Sequence, residues 1–237
     1  MIIRRAYNKC VGLYRFRKMV RFYSQFIGRG DLCFDVGAHV GDRTRVFLTL
    51  GAKVVCVEPQ AACLRTLHEV FGRRRDVIIV GQAVGDRDGS GEMAVCENAS
   101  DISTLSGKWQ REGRFSRDHR WTKTQPVSVT TLDSLIARYG VPRFCKIDVE
   151  GFEPFVFQGL TQPVDVVSFE FTREFFDDAR RCIERLLSIG RASLNCSIGE
   201  TMRFLFPDWV SPEQLYARLA RMDHPLLWGD VYAKLGG

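Results

Sequence analysis

No apolar run in this 237-residue sequence approaches the roughly 20 residues that a membrane-spanning helix needs, which excludes an integral helical membrane protein. No pair among its eight cysteines (positions 10, 33, 56, 63, 96, 145, 182 and 196) has CxxC spacing, and there are only four histidines. Thiolate and imidazole clusters of the kind that hold structural zinc are therefore lacking. No secretory apolar segment follows Met1, because arginines interrupt each apolar stretch. The expectation is a cytoplasmic chain with reduced thiols, several of them small buried hydrophobes in runs such as CFDV and VVCVE. Repeats, low-complexity tracts and evident linkers are missing too, so one domain is expected over 31–237, behind an arm at 1–30.

Acidic residues are absent from that arm. Residues 1–30 hold eight basic side chains (Arg4, Arg5, Lys9, Arg15, Arg17, Lys18, Arg21 and Arg29) and no acid. The formal charge of +6 thus belongs to the arm, since the remainder carries 26 basic and 28 acidic residues. A general nucleic-acid-binding surface is not favoured by such a distribution. Apolar residues at helical spacing predict an amphipathic helix over 1–28. It either packs on the edge of the domain or serves as a basic arm for a membrane surface or a partner.

What is present is an alternation of short apolar runs and helical patterns. LCFDV (32–36), KVVCV (53–57), VIIV (77–80), FCKID (144–148) and VDVVSFEF (164–171) read as strands, and VYAKL (231–235) as a closing one. Helices fill the intervals, with Gly51, Gly72 and Gly140 at their ends. Thr131 caps the helix through Tyr139, and Ser211-Pro212-Glu213-Gln214 opens a later one. Residues 192–206 read as strand-rich. Such runs describe an α/β fold with a mostly parallel sheet covered on both faces. Residues 85–130 interrupt the alternation with an inserted hairpin: EMAVC and VSVT (127–130) as strands and a polar excursion over 97–125 without structure of its own. A stretch of that kind is either a solvated surface segment or a working lid.

Chemistry concentrates at two places. DVGAHVG (35–41) joins the first strand to the first core helix, where a doubly wound sheet binds nucleotide-like ligands. Glu58 ends the second strand, where a carboxylate can accept from ribose hydroxyls. NAD and S-adenosylmethionine both suit these features. The spacing Gly37-x-x-x-Gly41 lacks the glycine that a pyrophosphate needs, and Asp35 precedes it. Like charges about 4 Å apart repel by ~1 kcal/mol in water and by more at a partly buried site. An acid there favours a cationic sulfonium and ammonium. The second place is KIDVEGFE (146–153), which brings Asp148 and Glu150 to the same edge. Helix capping explains Glu150 or Glu153 equally well, but an acid ending an apolar strand, as Asp148 does, needs a partner.

DVGAHVGDRT, VVCVEP, the AVGDRDG turn, DISTL, VTTLDSL, KIDVEGFE and VVSFEF, in this order over residues 31–171, resemble the FkbM family of S-adenosylmethionine-dependent methyltransferases. The glycine loop alone is generic to class I methyltransferases; TLDSL together with KIDVEG is more specific. The resemblance implies a Rossmann-like class I fold with a mostly parallel seven-stranded sheet. It implies donor contacts from Asp35, Gly37, Ala38, His39, Gly41 and Thr44, with His39 where the family often has Asn. It further implies Glu58 and the following Pro59 at the ribose, Gln82 and Ala83 at the adenine, and Asp148 and Glu150 near the reacting centre. Family members mostly methylate hydroxyl groups of sugars, polyketides and other secondary metabolites.

Transfer to a hydroxyl calls for a base, for which Asp148, Glu150 and Glu170 are the candidates, with His119 of the polar excursion as another. The three acids also offer oxygen ligands for magnesium or calcium, though no spacing compels a metal. In the excursion, Arg111, Arg114, Arg117, Arg120 and Lys123 recur at every third position around Phe115, His119 and Trp121. As a lid, it would bring His119, Arg120 and Trp121 to an anionic or sugar-bearing acceptor. Arg73 to Arg75 suit a helix C-terminus, His68 and His224 receive no role, and Trp209 and Trp228 read as packing. Two other readings stay open: an acceptor that is protein or nucleic acid, and a scaffold that binds the donor without catalysis. A homodimer is compatible with either.

Overall fold

The computed structural model describes residues 2–96 and 98–236, with side chains from residue 12 onward. Helix α1 (Ile2–Tyr23) leads into β1 (Leu32–Val36), and the chain then alternates through α2 (Asp42–Thr49), β2 (Lys53–Val57), α3 (Ala61–Phe71) and β3 (Val77–Val80). A smaller sheet follows, made of β4 (Ala83–Val84), β5 (Gly89–Val95) and β6 (Lys123–Thr130), with α4 (Gly107–Glu112) between its last two strands. The alternation resumes with α5 (Leu132–Tyr139), β7 (Phe144–Ile147), α6 (Glu153–Gln158), β8 (Val166–Thr172) and α7 (Phe176–Ile189). It closes with β9 (Arg191–Ile198), α8 (Pro212–Ala220) and β10 (Trp228–Gly236).

The main sheet has seven strands in the order β3-β2-β1-β7-β8-β10-β9, parallel except where β10 inserts antiparallel between β8 and β9. The alternation predicts the mostly parallel α/β sheet, and the family resemblance implies its seven-stranded, Rossmann-like form; both are found. Strand order reverses between β1 and β7, which pair directly (Asp35 opposite Lys146), so a crevice opens at their carboxyl ends. The glycine loop leaves β1 there, and the 148–151 turn leaves β7 beside it.

Both faces of the sheet are covered by packed apolar side chains. On one, Phe34, Val36, Phe157 and Phe169 meet the buried sides of α5 to α8. On the other, Phe22, Tyr23 and Phe26 pack with Phe47, Phe144 and Tyr232. The Phe26 ring stacks on Phe144 at 5.3 Å and on Tyr232 at 5.6 Å between centroids. Each buried phenyl contributes roughly 1.5–3 kcal/mol, so the carboxyl end of α1 belongs to the core. The helix ends at Tyr23, not at residue 28, because these aromatics turn the chain onto the sheet. The side chains of residues 1–11, with Arg4, Arg5, Lys9 and Cys10 among them, lie outside the described ones. The seven described cysteines are all free and buried. Among the described residues no helix is long and apolar enough to cross a membrane.

The insert departs from expectation in one respect. The excursion has structure of its own: a 3-10 turn at Ser100–Ile102, an isolated bridge between Ala94 and Thr104, and α4, capped by Ser106. It was read as irregular because its apolar residues are few and unevenly spaced. One of them, Trp109, is only 2% exposed and covers Gly151, where an added Cβ would lie 2.9 Å from the indole. Two neighbouring expectations also shift. Strand β5 already begins in the glycine-rich turn, at Gly89, and β9 stops at Ile198, the segment beyond it being turns. The Ser211 capping box and the Thr131 cap form as expected.

Candidate functional site

The glycine loop is held in place by the strands around it. Gly37 and Ala38 donate their N–H groups to Val57 O, at the end of β2. Gly37 has φ +79°, and a Cβ on it would sit 1.8 Å from the Asp148 carbonyl oxygen. Only glycine lets the loop pass so close to the end of β7. Gly41, at φ +85°, is in the same position against the Phe71 ring. Asp35 is 2% exposed and does not line the crevice. It accepts from the Thr44 hydroxyl at 2.5 Å, and burial raises its pKa. Asp35, Ala38, Gly41 and Thr44 thus support the loop from behind; the acid that was expected to face the ligand braces the backbone instead. Its neighbour on β7, Lys146, is only 1% exposed and bonds Asp148 at 3.1 Å and Asp230 at 3.0 Å.

A cavity opens beyond the loop. Gly37, His39, Glu58, Pro59, Gln82 and Ala83 all line it, as do Asp148 and Glu150. The Glu58 carboxylate accepts from the N–H groups of His39 and Gln60, both at 2.8 Å. Burial nevertheless pushes its pKa up to about 7. The 3-10 turn of the excursion closes one side: Ser100 bonds the His39 ring through its hydroxyl and the Gln60 amide through its carbonyl, each at 2.8 Å. Sequence reasoning missed Gln60, Ser100 and Thr104; DISTL was noticed as a motif, without any signal of what it faces.

A second cavity adjoins the first and shares Asp101, Asp148 and Glu150 with it. Here the structure brings Asp148, Glu150 and Glu170 together, with carboxylate oxygens all within 4.8 Å of one another. Glu150 reaches this position through a left-handed turn, with φ +53° followed by Gly151 at +81°. The Thr104 hydroxyl fixes the turn by donating to the Glu150 carbonyl at 2.6 Å. Burial first, and then crowding by neighbouring carboxylates, holds Glu150 and Glu170 well above the usual carboxylate range. Chemically, such a trio can accept protons or hold a hard cation.

His119, Arg120 and Trp121 line neither cavity. The Trp121 indole N–H donates to Ile102 O at 2.9 Å, and the His119 ring packs edge-on against Phe115. Other residues of the same stretch line the second cavity, namely Arg114 and Phe115, joined by Arg43, His224, Trp228 and Asp230. Arg114 clamps Glu174 with two bonds of 2.8 and 2.7 Å. The three-residue spacing of arginines gave no hint which of them would turn inward. Trp228, read as packing, is 38% exposed beside the cavity.

The model of the methyltransferase FkbM domain matches residues 35–190, which take in the loop, the acidic turn and the insert. The chain belongs to the FkbM methyltransferase family. It is an S-adenosylmethionine-dependent methyltransferase. No curated protein sequence matches it. Similar solved structures include a precorrin-6Y C5,15-methyltransferase from Geobacter metallireducens, at 11% identity and TM-score 0.46, covering 92% of this chain and 87% of that one. A TehB-like methyltransferase from Corynebacterium glutamicum aligns at 10% identity and TM-score 0.47 over the same shares. Fibrillarin from Aeropyrum pernix, solved with bound S-adenosylmethionine, aligns at 12% and 0.41, over 88% of this chain and 68% of its own.

Proposed function

We propose that this FkbM methyltransferase transfers the methyl group to a hydroxyl of a sugar or secondary-metabolite acceptor. The observation that carries this is the trio of carboxylates where the two cavities meet. The residues of the first cavity fit the donor: the Gly37 cradle admits backbone contact, Glu58 offers oxygens to the ribose, Pro59 flanks it, and Gln82 and Ala83 edge the adenine. Bound S-adenosylmethionine supplies a methyl group on a cationic sulfur, open to in-line displacement. Asp148 lies on the boundary, where its charge suits the donor's cationic end.

The protein's tasks are alignment of the acceptor oxygen with that methyl and removal of the hydroxyl proton. Glu150 or Glu170 takes the proton. A carboxylate with a raised pKa is a stronger base, and its ionised fraction grows as pH rises. Trp228 and Phe115 offer faces on which a sugar or ring can stack. Donor carrying a 13C-labelled methyl, incubated with the protein and fractionated extract of its source, tests the reading. An O–CH3 resonance on a small molecule or glycan is expected. Label appearing on nitrogen, on protein or on RNA overturns it.

A further inference from the structure

We infer that Arg43 anchors the carboxylate of the donor's methionine arm, an assignment that rests on the donor reading above. Arg43 is the second residue of α2, directly behind the glycine loop, and lines the second cavity together with Asp148, Glu150 and Glu170. The two cavities share Asp148 and Glu150. A donor with its adenosine beside Glu58 must therefore run its arm past Asp148 into the second. The arm ends in one ammonium and one carboxylate. The carboxylates on the wall suit the ammonium; the carboxylate needs a cation.

The cations nearby differ in how fully they are engaged. Lys146 is only 1% exposed and sits between Asp148 and Asp230. Arg114 is committed to Glu174 and also reaches the carbonyls of Leu226 and Leu227. Arg43 alone of these three is loosely held. Its Nε is buried without a partner, its Nη1 donates to the Met19 thioether, and its Nη2 stands 3.6 Å from the half-exposed Glu200. A thioether is a weak acceptor, and an orphaned buried N–H is costly. A carboxylate arriving between Arg43 and the loop would offer the planar, two-pronged partner that a guanidinium favours, in place of Glu200.

Calorimetry on the full chain tests this with S-adenosylmethionine and with its decarboxylated analogue, which keeps the sulfonium and the amine. The wild type is expected to prefer the intact donor by roughly 10- to 100-fold, the range of a charge-assisted pair. Arg43→Met should erase that preference by weakening the intact donor alone, while Arg43→Lys should restore part of it. Glu200→Gln removes a competitor for the guanidinium at an exposed position, and should tighten the intact donor by a few-fold without affecting the analogue. Equal weakening of both donors in Arg43→Met, or a preference that survives the substitution, overturns the inference. Should Arg43→Met not fold, an unchanged preference in both Arg43→Lys and Glu200→Gln overturns it as well. Failure of the wild type to bind either donor would instead overturn the donor reading.

Discussion

The two cavities share a wall but treat polar groups in opposite ways. In the first, the Glu58 carboxylate has a backbone N–H on each oxygen, the His39 ring has Ser100, and Gln60 has the Ser100 carbonyl. In the second, Glu150 and Glu170 are crowded against Asp148, and Arg43 carries an orphaned Nε. The first is organised before anything binds. The second holds electrostatic tension that a substrate can relieve, which is where perturbed groups suited to proton transfer are expected. Donor recognition and chemistry are thereby separated along one crevice, with Asp148 at the boundary.

That division can be broken by substitution. The largest effect is expected in the second cavity: Glu150→Gln and Glu170→Gln together should lower turnover by about 10²- to 10⁴-fold. Donor affinity, read by calorimetry, should change only a few-fold. Full turnover in both single variants and in the pair removes the base assignment. Turnover in the wild type should also rise with pH from the acid side, because whichever of the two acts as base must first lose its proton.

Next comes Gly37→Ala, whose Cβ would collide with the Asp148 carbonyl. Because that contact sits on backbone at both ends, donor affinity should drop by on the order of 100-fold, with a lowered melting temperature. Wild-type affinity and melting would show that the loop can shift. Smaller is the pH response of Glu58, whose pKa is pushed up to about 7. Its ionised form is the better acceptor for hydroxyls, so donor affinity should climb up to ~10-fold between pH 6 and 8. In Glu58→Gln the climb should flatten.

The smallest effect concerns stability alone. Glu153 is 6% exposed, and burial pushes its pKa up to about 7. A folded-state pKa above the unfolded value of roughly 4.3 means that the native chain binds the proton more tightly. That contribution is complete below the unfolded pKa and is lost as pH rises through about 7. Glu153→Gln should therefore melt a few degrees higher than the wild type at pH 8, with little difference at pH 4, as read by calorimetric melting. A variant that melts no higher than the wild type at pH 8, or that gains as much at pH 4 as at pH 8, would remove this contribution.

How much of this was legible beforehand follows from the range of each interaction. Strands such as VVCV and FCKI announce themselves because a sheet buried on both faces demands unbroken apolar runs. Gly37, Glu58 and Asp148 could be found because each follows the carboxyl end of a strand, at the switch point or on the strand beside it, a position that the alternation fixes. The burial of Asp35 could not, since it depends on a Thr44 hydroxyl nine residues on and on Lys146 across the sheet. The electrostatic argument once attached to Asp35 passes to Asp148 and Glu150, which do line the crevice. Arg114 and Phe115 were visible in the arginine series, but their place on the cavity wall was not, for a similar reason. The partner that turns Arg114 inward, Glu174, is 60 residues away, and no local pattern marks it.

The cysteines of the sheet interior carry a practical consequence. Cys33, Cys56 and Cys145 sit on three adjacent strands, and burial keeps their thiols protonated. They should stay silent toward an alkylating reagent for as long as the native sheet persists. Labelling at these positions then becomes a stopwatch for sheet opening, one that needs no tag and no known substrate.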